Sequence, residues 1–235
     1  MRYNNVLRAK FVERLNRFIA KIQVFDEKNG VFCEKFEFCH VKNTGRLDEL
    51  LVSGAEIYIQ KSENPQRKTA YDLIGVVKDG SVVNIDSLAP NIAVGEYLMA
   101  VYPEWKIIPE KKFGNSRFDF YLEKGDEKGF IEVKGVTLFR DGRALFPDAP
   151  TERGVKHLDE LCICKKQGYF AKVFFIIAAD TDGKIVFSPN RSVGTEFAEA
   201  LTRADKNGVE ICAFDCEVGW DSMSVKNRIR IELEY

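Results

Sequence analysis

The run FAKVFFIIAAD, residues 170–180, limits the fold more than any other stretch. It is almost continuously apolar yet far shorter than the roughly 20 residues of a membrane span. A strand of that composition has no polar face to offer water, so both its faces need cover. The neighbouring sequence supplies it. APTERGVKHLDELCICKKQG (149–168) reads as a helix ending at Gly168, and TEFAEALTRADKNG (195–208) as another helix before the strand VEICAFDCEV (209–218). Upstream, APNIAVGEYLMAVY (89–102) sets Ile92, Leu98 and Met99 around Glu96 as a helix, followed by three strand-like runs, WKIIPEK, SRFDFYLE and GFIEVKGVTLF. Helix, three strands, helix, strand, helix, strand predicts an α/β layer built on a mixed sheet.

Residues 1–87 have a different rhythm. RFIAKIQVF, VFCEKFEFCHV, AEIYIQK, YDLIGVVK and VVNIDSL are short strand-like runs, with turn chemistry in DEKNG and VKDGS. NTGRLDELL, with Leu47, Leu50 and Leu51 at helical spacing, reads as one brief helix. Five or so strands and a short helix predict a small barrel of the oligonucleotide-binding type. The chain therefore divides at residues 87/88 into a barrel and an α/β domain, α+β overall. Phe11, Phe18, Phe36 and Phe38 fit either the barrel core or a base-stacking surface above basic residues.

Bulk properties exclude several classes. The 235 residues are 45% hydrophobic and 30% charged, with a net charge of −1, so the chain is no uniformly basic nucleic-acid binder. One local basic patch stands out: Arg2, Arg8, Lys10, Arg14, Arg17 and Lys21 against Glu13 alone. The six cysteines lie in apolar runs without zinc-type spacing, which predicts reduced, buried thiols. MRYNNVLRAK lacks the apolar segment of a signal peptide, so the expected location is the cytoplasm, where DNA binding would associate the chain with the nucleoid.

The segment RFDFYLEKGDEKGFIEVKGVTL, Arg117 to Leu138, is a hairpin with unusual polar residues. Alternation puts Phe118, Phe120 and Leu122 on one face and Arg117, Asp119 and Tyr121 on the other, with Glu132 and Lys134 sharing a face on the second strand. Symmetric pairing about EKGDEK sets Asp119 opposite Glu132. Facing carboxylates are unfavourable in a sheet unless solvated or bridged by a cation. A hard dication such as Mg²⁺ or Mn²⁺ satisfies two carboxylates, and Lys134 beside it could stabilise charge on a phosphoryl oxygen. A solvated hairpin face is the alternative.

Asp119, Glu-x-Lys at 132–134 and Glu96 on the preceding helix resemble, in order and placement, the PD-(D/E)xK nuclease core; Phe118 stands where its motif proline would be. HVKNTGRLDELL, NPQRKTAYDL, SRFDFYL, IEVKGVTL and FPDAPTERGVKHLDEL together resemble the sugar fermentation stimulation protein A family along essentially the whole chain. That resemblance implies an oligonucleotide-binding-like first domain, a nuclease-like second domain, DNA binding without sequence specificity, and a link to regulation of sugar (maltose) metabolism. Carried over, Asp119, Glu132, Lys134 and Glu96 are the catalytic set. Asp119, Glu132 and the Val133 carbonyl would hold Mg²⁺ or Mn²⁺.

Arg17 within NRF, Arg46, and Arg67 and Lys68 within RKT are expected phosphate contacts on the barrel. In FPDAPTERGVKHL, Pro147 and Pro150 stiffen the approach to a helix N-terminus, where Arg153 could fork onto a phosphate. The alternative is that Asp148 or Thr151 merely caps the helix. His157 reads as a polar spectator rather than a general base. Two functions stay open, a metal-dependent nuclease and a non-catalytic DNA-binding regulator using the same cleft. A sugar-binding protein ranks last, because no second pair of acids exists to face a sugar. Exposed strand edges leave room for a homodimer.

Overall fold

The computed structural model describes residues 1–234. The first unit contains strands β1 (Val6–Asn16), β2 (Ile19–Asp26), β3 (Val31–Phe32), β4 (Glu37–Val41), β5 (Glu56–Lys61), β6 (Tyr71–Lys78) and β7 (Ser81–Asn84). β1 pairs with both β2 and β5, which closes the order β1-β5-β6-β4-β2 into a five-stranded barrel. Its core is the alternating inward set Ala9, Phe11, Ala20, Ile22, Ile57, Ile59 and Leu73. Burying one such large side chain stabilises the fold by about 2 kcal/mol.

Two details differ from the sequence expectation. β1 runs from Val6, so the basic N-terminal patch is itself strand: Leu7, Ala9 and Phe11 alternate with Arg8 and Lys10, up to a register shift between Phe11 and Glu13. NTGRLDELL forms no helix. Leu47 adopts a left-handed backbone (φ 56°), and one turn follows, with the Leu51 amide donating to the Leu47 carbonyl at 2.8 Å. Leu47 and Leu50 are nonetheless buried in the barrel core, so the leucine spacing serves packing rather than helix.

The second unit begins with α1 (Ala89–Val101), then β8 (Lys106–Phe113), β9 (Ser116–Lys124), β10 (Glu127–Val136), β11 (Leu138–Arg140) and β12 (Arg143–Phe146). It continues with α2 (Glu152–Lys166), β13 (Phe170–Ile177), β14 (Val186–Pro189), α3 (Thr195–Lys206), β15 (Glu210–Val218), β16 (Met223–Arg228) and β17 (Arg230–Ile231). Six strands form a mixed sheet ordered β16-β15-β13-β10-β9-β8, with β13 parallel to both its neighbours. FAKVFFIIAAD is that central strand. Val173, Phe175 and Ile177 pack with Leu158 of α2 and Leu201 of α3, while Phe174 and Ile176 pack with Val94 and Leu98 of α1. β11, β12, β14 and β17 make a smaller sheet.

The chain start crosses between the units. Arg2 bridges Ser222, and the Tyr3 amide donates to the Asp221 carbonyl at 2.7 Å, so the first residues lie against the α/β unit. Among the described residues, no helix is long and apolar enough to cross a membrane. Five of the six cysteines are buried, all six are free thiols, and Cys33 is half-buried.

Candidate active site

The hairpin pairs as its sequence predicts through Phe120 opposite Ile131, symmetric about the Gly125–Asp126 turn. One step further, at Asp119, the ladder stops. The Asp119 carboxylate takes the Val133 amide instead, accepting at 2.7 Å through Oδ2. On the other side of β9, pairing with β8 also skips this position: Phe120 pairs with Pro109 and Phe118 with Lys111, while Glu110 between them has a left-handed backbone (φ 55°). Asp119 thus sits where both flanking ladders are interrupted.

The interruption corrects the expected faces. Phe118 packs on the α2 side with Tyr121 and Phe130, whereas Phe120, Leu122, Ile131 and Val133 pack on the α1 side. Phe118 and Phe120 would share a face in a regular strand. Nor does a whole hairpin face lie open as the floor of a cleft: Glu132 is only 3% exposed, and the hairpin reaches the groove beside α1 through Asp119 and Phe120.

The two acids turn toward different helices. Asp119 Oδ1 accepts from Asn91 Nδ2 of α1 at 2.7 Å. Glu132 Oε1 accepts from Lys134 Nζ at 2.6 Å and from Nδ1 of His157 on α2. His157 Nε2 in turn accepts from Arg153 Nε at 3.4 Å, which gives a chain Arg153–His157–Glu132. Thr151 positions that helix by capping it, its Oγ1 accepting from the Gly154 amide at 3.0 Å. Asp148 instead accepts from the Arg46 amide at 3.1 Å, across the two units.

Burial, and then the charge of Glu132, push the Asp119 carboxyl up to about 6. Burial also pushes Glu132 upward, but the His157 hydrogen bond and Lys134 outweigh it and hold that carboxyl below its usual range. The acids are therefore in electrostatic reach of each other. Glu132 Oε2 is buried and has no hydrogen-bond partner among the described residues. A buried carboxylate oxygen lacking a donor is costly, and a cation supplies what is missing. The residues fit a hard dication in that sense: two carboxylates, one with a vacant acceptor, is a common protein share of a Mg²⁺ shell. Among the described residues, no three His, Cys, Asp or Glu side chains form a ready cage.

These shifts set a pH dependence. A carboxyl raised from 3.8 to about 6 binds more protons folded than unfolded across that interval. Its contribution to stability is greatest at low pH and is lost as pH rises through the folded value, by roughly 3 kcal/mol in all. Glu132 acts the other way and lower: its contribution is present above 4.5 and lost as pH falls through its depressed folded value. Urea unfolding in a chelator between about pH 5 and pH 7 is expected to show stability declining in the wild-type chain and flat in Asp119→Asn. A wild-type profile that rises across this window contradicts the assignment.

The remaining expected residues are distributed unevenly. Glu96 is on α1, but its carboxylate binds the Met1 ammonium at 2.5 Å, and Asn91 is the α1 side chain that reaches Asp119. Val133 meets Asp119 through its amide. Arg67 forks onto buried Asp72 at 2.9 and 2.5 Å, while Lys68 and Arg46 are exposed. Arg17, donating to the Thr44 carbonyl at 3.2 Å, lines a cavity of about 280 Å³ between the units whose other wall is Pro147–Thr151. Arg153 lines a cleft with Arg117, Lys156 and His157, a basic cluster whose other two cations the sequence did not single out. On the barrel, Phe11 is core, but Phe18, Phe36 and Phe38 are each nearly half exposed, with Lys21 Nζ 4.3 Å above the Phe36 ring. His157 is no spectator: it is buried and holds Glu132.

Comparison with known proteins agrees with this architecture. Residues 12–85 match the sugar fermentation stimulation protein N-terminal OB domain, and residues 89–222 match its RE domain, restriction-endonuclease-like. The sugar fermentation stimulation protein homolog of Clostridium beijerinckii is 47% identical over 99% of this chain and 100% of its own length. That of Desulfitobacterium hafniense strain Y51 is 48% identical over 99% of both chains. The structure of SfsA from Pyrococcus furiosus in complex with Ca²⁺ superposes with a TM-score of 0.84 at 27% identity, covering 99% of this chain and 98% of that one. An OB barrel joined to a restriction-endonuclease-like sheet that carries Asp119 and Glu132-x-Lys134, together with near-half identity from end to end, makes this chain a member of the sugar fermentation stimulation protein family.

Proposed function

We propose that this chain binds DNA without sequence specificity and hydrolyses phosphodiesters at the Asp119–Glu132–Lys134 centre with Mg²⁺ or Mn²⁺. The observation that carries the reading is the buried Oε2 of Glu132, without a partner among the described residues, in electrostatic reach of a second, half-buried acid. Asp119 and Glu132 would hold the ion; the relative from Pyrococcus furiosus was solved with Ca²⁺. When bound, such an ion supplies Lewis acidity toward a phosphoryl oxygen and a more acidic water. The chain's own residues do the rest. Lys134 orients the attacking water and stabilises charge gathering on the phosphoryl oxygens. His157, steadied by Arg153, keeps Glu132 ionised and aimed. Arg117, Arg153 and Lys156 offer cations to the flanking phosphates.

The barrel would hold the strand. Phe18, Phe36 and Phe38 with Lys21 have the composition of a base-stacking surface beside positive charge. Phe38→Ala is expected to weaken single-strand affinity by about fivefold or more, with log K falling steeply with log salt. Fluorescence anisotropy at two salt concentrations checks both. Unchanged affinity in Phe18→Ala and Phe38→Ala together would remove the barrel from the binding site.

The deciding experiment incubates the chain with single- and double-stranded DNA, with and without Mg²⁺ or Mn²⁺. Fragments that need the metal and disappear in Glu132→Gln support hydrolysis. One observation favours a second reading: the acids face different helices. Binding without fragments under any metal would leave a DNA-binding regulator, consistent with the family's link to sugar metabolism.

A further inference from the structure

Asp119 has a second environment beyond its partners on α1 and β10. It forms part of the wall of a groove of about 840 Å³ between α1 and β8, with Ile92, Met99, Tyr102, Trp105 and Phe120. That volume lies in the range of small-ligand sites, and the apolar, aromatic lining matches their usual chemistry. Ile92 and Met99 are 49% and 60% exposed, so this is apolar surface open to solvent rather than core. The strained Glu110 lies on its rim, directly where β8 fails to pair with Asp119. Non-glycine residues held in such a conformation concentrate at functional sites.

The charge of the lining decides what it takes. Among the described residues, no lysine or arginine lines this groove; its polar side chains are Asn91, Asp119, Glu96 on the Met1 ammonium, Glu110 at 3.7 Å from Arg117, the Tyr102 hydroxyl and the Trp105 indole N–H. A phosphate would meet carboxylates there. The basic cleft at Arg117, Arg153 and Lys156 lies instead beside His157 and α2. Resting on the hydrolytic reading above, we infer that the groove receives a nucleobase, unstacked from a single strand, next to the bond to be cut. The base lies against Trp105 or Tyr102, its exocyclic amino or ring N–H groups facing Glu110 and the Glu96 oxygen that the Met1 ammonium leaves open, while its backbone follows the cations. Enzymes acting on nucleic acids read unstacked bases in just such apolar, aromatic pockets. The substrate is accordingly a single strand or a frayed end.

Trp105 is its own reporter once Trp220 is replaced by Phe. Without metal, a short single-stranded oligonucleotide is expected to quench Trp105 emission, and an abasic strand of equal length to leave it unchanged. Ile92→Glu, at an exposed position, should weaken the base-bearing strand about fivefold or more, the low end for one stacked base, and leave the abasic strand alone. Anisotropy of an end-labelled strand separates the two levels of the argument. Binding with silent Trp105 overturns the groove assignment and spares DNA binding. No binding overturns both. Equal quenching by the abasic strand, or quenching that grows with protein concentration alone, overturns the base in favour of backbone or a second copy.

Discussion

Lys134→Ala is expected to slow metal-dependent cleavage by about two to three orders of magnitude, the usual cost of removing one preorganised donor from developing charge. The same variant should bind Ca²⁺ within a few-fold of wild type. Lys134 donates to Glu132 Oε1, and the unpartnered Oε2 does not depend on it. His157 still holds Oε1 in its absence. Glu132→Gln separates the roles, since it should lose cleavage and the stabilisation by Ca²⁺ together. The rise in unfolding midpoint with added Ca²⁺ measures the second quantity, because a ligand that binds the native state stabilises it in proportion to RT ln(1 + [L]/Kd). A Lys134→Ala chain that cuts at the wild-type rate would take the lysine out of the chemistry. One that loses Ca²⁺ binding outright would make it a support for the acids instead.

Much of the scaffold can be read before any coordinates. FAKVFFIIAAD demands cover on both faces, and the helices on either side of it in sequence provide that cover with α1. The turn at Gly125–Asp126 sets the hairpin register by symmetry. β1 was equally legible, since Leu7, Ala9 and Phe11 alternate at period two, but the charges between them resemble a basic patch instead. His157 also carries a local signal. It falls at helical spacing on the face that buries Gly154, Leu158 and Leu161, and a polar residue on that face must have a buried partner.

Other features have no local signal. The flip of Phe118 follows from the ladder interruption at Asp119, where a side chain replaces a backbone partner. Asn91 reaches Asp119 only because α1 crosses β9, and Glu96 is diverted by the Met1 ammonium, ninety-five positions away in sequence. Pattern and propensity describe neighbours along the chain. These contacts belong to neighbours in space, which is why Glu132 could be named from its spacing to Lys134 while its orientation toward α2 could not.

His157→Ala tests that orientation, and its cost should be high for a single polar substitution: about 2 to 3 kcal/mol at neutral pH, in the range for taking a hydrogen-bond partner from a buried charged group. Glu132 would keep Lys134 alone, with both its oxygens still out of water. The ring also packs against Phe118 at 6.0 Å between centroids, so part of any loss is shape. A cycle with Glu132→Gln removes that part. In the Gln background the charge is absent, and His157→Ala should cost only its packing share and one neutral hydrogen bond. The pH profile gives an independent sign. In wild type the depressed Glu132 carboxyl contributes stability above its ordinary value of 4.5, and that contribution is lost as pH falls through the folded value. Without the His157 hydrogen bond, burial pushes the carboxyl upward and the contribution shrinks or reverses. The difference between wild type and His157→Ala should therefore be largest near neutrality and close as the carboxylate titrates in acid. Urea unfolding of the four chains of the cycle at several pH values measures all of this. A constant difference across pH, equal in both backgrounds, would show that His157 only fills space and that the aim of Glu132 comes from the strand alone.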